Sequence, residues 1–271
     1  QSVAPRSVGL MRASHWRWWL LALVVGLLLL VPHSSSEVLS AEGREQLRQL
    51  AASGRFRHWD LVGSTAFAIY GFCTAVQRRY DLWGTFVLTL VPTVGGGVIR
   101  DLLIGGDRIP LLMFRDPSYL AVVIVVIVCG TFGLRCFGSG LVRRAWPARL
   151  LLVADAIGLA SFAVIGTRVA LLADLPWYWL PFSAAVSCTG GGALLDVITG
   201  REPRTFQGEP YEEIAALGSV FLIALWCLAE WLHWGPWGIP LAMLVSWLSM
   251  VSARLLVLRF GWRSWRLGAP P

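Results

Sequence analysis

Lysine is absent: all 23 basic residues of the 271-residue chain are arginine. Its absence excludes a Schiff-base lysine and the phosphate-binding lysine of a P-loop. Charge is scarce too, at 14% of residues against 56% hydrophobic, and no polar stretch is long enough for a separate soluble domain. The cysteines, Cys73, Cys129, Cys136, Cys188 and Cys227, make no CxxC pair. They fall in or beside apolar runs, as small buried residues do, and predict no disulfide framework. His15, His33, His58 and His233 have neither HExxH spacing nor a Cys or His neighbour, so no metal site is expected. A net charge of +7 suits the surface of an anionic membrane. No nucleic-acid signal accompanies it.

What is present is long hydrophobic runs, with a mean hydropathy of +0.64. Crossing a bilayer takes about 20 apolar residues. Seven segments approach or exceed that length, at 60–76, 82–105, 119–137, 150–172, 177–199, 212–232 and 237–258. The chain therefore reads as an all-α polytopic membrane protein. Ahead of these segments, Met11 precedes Arg12, Arg17 and an apolar run from Trp18 to Val31, closed by small and polar residues. A cleaved signal peptide and a signal anchor both fit residues 1–36. Residues 37–59 are polar, with a helical charge pattern that predicts a surface helix or linker. Arginines on alternate sides set the orientation. Arg78, Arg79, Arg135, Arg143, Arg144, Arg149, Arg201, Arg204, Arg254, Arg259, Arg263 and Arg266 share one side, twelve in all. Arg44, Arg48, Arg55, Arg57, Arg108, Arg115 and Arg168 make seven on the other. The first side is expected to be cytoplasmic, together with a basic tail at 259–271.

The two halves align without a gap at a shift of 95 residues. Asp60 falls on Asp155, Gly63 on Gly158, Phe67 on Phe162, Ala68 on Ala163, Gly71 on Gly166 and Ala75 on Ala170. Val91 meets Val186, Gly95–Gly97 meet Gly190–Gly192, Asp101 meets Asp196 and Gly105 meets Gly200. Each repeat, at 60–137 and 150–232, holds three segments. An odd number makes the second copy enter the membrane from the opposite side, so two inverted three-helix repeats are expected, with 237–258 as a seventh helix. Gly63, Phe67, Gly71 and Ala75 recur every four residues, as do their counterparts, which predicts a face for close helix packing. Asp60 and Asp155 are expected as helix-start caps or dipole partners, one near each membrane interface.

Three glycines in a row are costly in a helix, at roughly 1 kcal/mol each relative to alanine. Two such triplets, Gly95–Gly97 and Gly190–Gly192, predict broken helices meeting near mid-membrane, where freed carbonyls replace part of a cation's water shell. Tight packing alone is the competing reading. Thr93, Cys188 and Thr189 would add small polar groups to such a passage. Asp101 and Asp196 each follow the last glycine by four residues, as polar lining or support. Adjacent helical residues do not face one another, so Arg100 is expected either to pair across the repeat with Asp196 or to extend to the interface. Soluble-enzyme motifs are missing around the triplets, and no enzymatic activity is expected.

The first motif, Gly95-Gly96-Gly97-Val98-Ile99-Arg100-Asp101, and the second, Gly190-Gly191-Gly192-Ala193-Leu194-Leu195-Asp196, resemble those of the prokaryotic trimeric intracellular cation (TRIC) channel family, also labelled a glycine transporter domain. The resemblance spans about 60–258. Leu195 stands where an arginine is common, so no role of a second arginine is carried over. The resemblance implies a homotrimer in the inner or plasma membrane, each protomer with its own pore for monovalent cations, chiefly potassium, around helices two and five kinked by the triplets. It calls for no cofactor beyond permeant potassium and bound lipid. A secondary transporter of a small solute such as glycine is the rival reading, because inverted repeats with broken helices serve many carriers. A non-conducting scaffold is a weaker third.

Overall fold

The computed structural model describes residues 38–106, 115–137 and 145–264. The expected signal segment at 1–36 lies outside them, as does the end of the tail. Among the described residues there are eight α-helices: α1 (Ala41–Ala52), α2 (Gly54–Gln77), α3 (Leu82–Ile104), α4 (Ser118–Phe137), α5 (Ala145–Leu172), α6 (Trp179–Ile198), α7 (Glu212–Trp231) and α8 (Gly238–Phe260). The chain is a multi-pass membrane protein, with α2–α4 and α5–α7 as its two inverted repeats and α8 as the seventh helix.

Six of these helices, α3 to α8, are long and apolar enough to span a bilayer. Helix α2 has 24 residues, but Arg55, Arg57, His58 and Asp60 crowd its start and keep its hydropathy down. It begins at Gly54, six residues before the expected 60, and α5 begins at Ala145 rather than 150. In both cases the helix continues beyond the apolar run into the segment that precedes it.

Local signals place the helix ends. Asp81 caps α3 by accepting from the Gly84 N–H at 2.7 Å, and α3 stops at Gly105, whose φ of +68° a glycine adopts without strain. Asp60 and Asp155, by contrast, cap nothing. They lie well inside α2 and α5, because both helices start earlier than the apolar pattern does.

The pseudo-two-fold is built from the repeated face. Phe67 and Phe162 stack with centroids 5.2 Å apart and planes at 10°. Each ring covers the other repeat's glycine: a Cβ on Gly63 would lie 3.2 Å from Phe162, and one on Gly158 would collide with Phe67. A turn further on, Gly71 receives α3 beside Thr89, and Gly166 receives α6 beside Ala184. Helix α5 is the most enclosed span, and Leu159, Leu171, Leu222, Ile223 and Trp226 form the buried core around it. Between helices already in lipid, close packing rather than removal from water holds such a core.

In the polar stretch expected as a surface helix or linker, the described residues form α1 and the start of α2. Ser40 caps α1 through Gly43 at 3.0 Å, and its hydroxyl also donates to Glu230 at the end of α7 at 2.9 Å. Arg44 pairs with Asp174 at 3.0 Å, while Val38, Leu39 and Leu47 are buried. Replacing Glu230 with Ala should undock α1 first, for a loss of about 1 kcal/mol. Limited proteolysis between 41 and 53 should then speed up, while the remaining helices keep wild-type resistance.

Candidate functional site

The two glycine triplets lie where α3 and α6 cross. Both helices are continuous through them, so the expected break, with freed carbonyls at Gly95–Gly97 and Gly190–Gly192, is not what the glycines make. They remove side chains instead. A Cβ on Gly95 would lie 3.0 Å from the Cα of Gly191, and one on Gly190 would lie 3.1 Å from the Cα of Gly96. A Cβ on Gly191 would come within 2.6 Å of the Pro92 carbonyl oxygen, and one on Gly96 would overlap that of Ser187. Pro92 and Ser187 are equivalent under the 95-residue shift, so the crossing is two-fold symmetric in its backbone contacts. Three consecutive glycines suit it because the first two face the partner helix. Gly97 and Gly192 face away, and nothing lies within 4 Å of a Cβ on Gly192.

The threonines hold conventional positions. Thr93 donates to the Thr89 carbonyl at 2.7 Å and is buried, while Thr189 donates to that of Ala185 at 2.8 Å. Their oxygens keep lone pairs with which to accept. Pro92 was not singled out in the sequence. Without an N–H it leaves the Leu88 carbonyl no partner one turn on, and that carbonyl is met by Gly71.

Arg100 binds its own neighbour. Its Nε and one terminal nitrogen donate to the same oxygen of Asp101 at 2.9 and 2.8 Å, with both side chains only 3–4% exposed. The expected pair with Asp196 is therefore replaced by a local one. Burial is the reason: an arginine this deep needs a carboxylate within its own reach, and the long side chain can curl back where the helix backbone itself cannot bring neighbours together.

A second pattern connects the ends of the bundle. Tyr119, at the start of α4, donates to Asp60. Tyr211, just ahead of α7, donates to Asp155 at 3.2 Å. Each repeat thus ties the carboxylate of its first helix to a tyrosine at the start of its third. The hint was available in "PSYLAV" and "EPYEEI", but the two tyrosines differ from the 95-residue register by three positions. Burial raises the Tyr211 hydroxyl well above its ordinary pKa, and the charge of Asp155 raises it further, so it stays a donor.

At the arginine-rich end lies a cavity with about 40 Å³ of water-accessible space, room for about three waters. Thr189, Gly192 and Asp196 of α6 line it, with Asp155, Glu209, Tyr211 and Arg254. Three carboxylates, Asp155, Asp196 and Glu209, line it, and Arg254 bonds the first and the last of them. Among the described residues no three such groups converge as a metal site, so the cavity offers a diffuse negative field rather than a chelate. Thr93, Arg100 and Asp101 do not line this cavity. Arg254 and Glu209 were missed because α8 and the 199–211 connection stand outside the repeat alignment.

Comparison with known proteins bears on what this arrangement is. The family model described as Glycine transporter matches residues 57–135 and 152–227. A UPF0126 membrane protein of Deinococcus radiodurans is 36% identical over 202 residues, covering 73% of this chain and 87% of that protein. A TRIC cation channel structure superposes with a TM-score of 0.66 at 26% identity, over 80% of this chain and 98% of that one. The trimeric intracellular cation channel orthologue of Rhodobacter sphaeroides gives 0.65 at 28% identity, over 77% and 100%.

Proposed function

Because the chain belongs to the TRIC channel family, whose sequence model carries the description Glycine transporter, we propose that it is a channel for monovalent cations, permeable to potassium. Its pore runs within each protomer, beside the crossing of α3 and α6. Three protomers assemble in the inner or plasma membrane, each in contact with lipid, with the C-terminus in the cytoplasm. The structural relatives named as trimeric cation channels support the assembly, and the excess of arginine on one side supports the orientation.

The observation that carries the reading is the cavity on the cytoplasmic side of the glycine crossing. Three carboxylates around about 40 Å³ raise the local concentration of cations and repel anions, and low-dielectric walls strengthen that field. Thr189 and Gly192, beside the crossing, open on to the same space. Here the triplets work by letting two continuous helices touch, so that the groups lining the passage are held at their crossing.

The carrier reading, with a small solute such as glycine as substrate, keeps one observation in its favour. At Gly96 and Gly191 the helices are in backbone contact, as a closed carrier would also be. Planar-bilayer recording of the purified protein in asymmetric KCl separates the two. Discrete current steps reversing near the potassium potential are expected. A silent bilayer, with saturable glycine uptake into proteoliposomes, would replace the channel by a carrier.

A further inference from the structure

Helix α1 lies outside both repeats. The matched family model begins at residue 57, beyond the end of α1 at Ala52. The apolar side of α1 is nevertheless built into the second repeat. Val38, Leu39 and Leu47 join the buried cluster that holds Leu171, Trp226 and Ile239, and Leu175 and Trp177 of the α5–α6 connection pack against it. Polar contacts fix the helix there. Glu230, at the end of α7, turns both oxygens to Ser40, accepting from its N–H at 3.2 Å and from its hydroxyl at 2.9 Å. A side chain at position 43 would collide with that carboxylate, so Gly43 leaves it room. Arg44 reaches Asp174, in the α5–α6 connection, at 3.0 Å.

The other end of α1 belongs to the first repeat. One residue, Ser53, separates α1 from α2. Its backbone is extended, at φ −71° and ψ 145°, and its hydroxyl donates back to the Leu50 carbonyl at 2.6 Å, so the junction is short and held. Helix α2 in turn seats α3 on Gly71, just as α5 seats α6 on Gly166. The repeats meet at the α3–α6 crossing, and α1 spans from one to the other at the end where α2 begins.

We propose that α1 is a strap: it restrains the two repeats against each other and so holds the α3–α6 crossing closed. This rests on the channel reading. Backbone contact at Gly96 and Gly191 brings α3 and α6 together, so a passage beside them widens only when α2 and α3 shift against α5 and α6. Such a shift pulls on Ser53. A one-residue junction has no slack, so α1 must leave its seat or hold the start of α2 back, and the burial of Val38, Leu39 and Leu47 opposes its leaving. The strap therefore biases a two-state equilibrium towards the closed form, by as much as its docking differs between the two. It acts on how often the channel opens and not on the current through an open one, because α1 contributes no group to the lining of the inner cavity.

The test is single-channel recording, in symmetric KCl, of the full-length protein and two variants. One carries Gly-Ser-Gly-Ser inserted after Ser53, which slackens the junction and leaves every docking contact of α1 in place. The other is Glu230→Ala, which loosens the seat itself. In both, the open-to-closed ratio should rise about fivefold, the shift that about 1 kcal/mol of restraint gives, with unit conductance unchanged. A ratio unchanged or lowered by the insertion overturns the strap even where Glu230→Ala alters gating, because α1 would then act only as packing. If the insertion variant fails to accumulate in the membrane, Glu230→Ala decides alone: a higher ratio at unchanged unit conductance supports the strap, and any other result overturns it. A silent wild type would overturn the channel reading, and the strap's part in opening with it. A conducting wild type whose variants open as it does would overturn the strap alone.

Discussion

Gly96→Leu and Gly191→Leu are expected to leave no ion passage and to lower the melting temperature sharply. The reason lies in what each new side chain meets. At Gly191 the obstacle is the Pro92 backbone, with a Cβ 2.6 Å from its carbonyl oxygen, and at Gly96 it is the Ser187 carbonyl. Overpacking a core costs about 1–3 kcal/mol when side chains can yield. A carbonyl held in a helix cannot yield alone, so α3 and α6 must separate and the cost should reach or exceed the top of that range. Gly192→Leu is the informative control. Nothing lies within 4 Å of its Cβ, yet it lines the acidic cavity. That variant should fold with near-wild-type stability and conduct poorly. Thermal unfolding in detergent beside single-channel recording reads both effects. If Gly96→Leu melted with wild type, the glycines would not be serving as the contact point of two helices.

Asp101→Ala should be the most destabilising single change away from the glycines. It leaves the Arg100 guanidinium buried, with both hydrogen bonds to Asp101 gone. Breaking a buried pair from one side typically costs about 3–5 kcal/mol, because the remaining charge is uncompensated. Replacing both partners together, Arg100→Met with Asp101→Leu, removes the charge as well as its counterion and should recover much of the loss. A double-mutant cycle from denaturant unfolding in detergent measures the coupling. Should Asp101→Ala lie within about 1 kcal/mol of wild type, Arg100 would have another adequate partner. Conductance adds an independent reading: the double variant should still pass ions, since neither residue lines the inner cavity.

The two predictions mark a division between what the linear order of residues could reveal and what it could not. Hydrophobic runs and the 95-residue repeat are periodic properties of the chain. They determined the membrane-spanning architecture, the inverted symmetry and the packing face of Gly63, Phe67, Gly71 and Ala75, because each depends on spacing along a helix. That the two triplets meet was legible for the same reason. What the triplets do there was not. A run of glycines weakens an isolated helix and equally invites a second helix to its surface, and only the presence of α6 against α3 decides between these outcomes.

The charged groups divide in the same way. That Asp60 and Asp155 are equivalent follows from the register alone. That each accepts a hydrogen bond from a tyrosine starting the third helix of its repeat depends on how three helices converge. Arg100 could be placed beside Asp101 on paper, but whether its side chain curls back or reaches across depends on burial and on what lies within about 3 Å of its nitrogens. Arg254 is the clearest case. It lies outside both repeats, about 100 residues from Asp155, and no local pattern marks it. Sequence by itself determined that the second repeat lacks an arginine at 195. Only the tertiary structure, by laying α8 along α5, decided that Arg254 bonds Asp155 and Glu209, because electrostatic pairing depends on distance through space and not on distance along the chain.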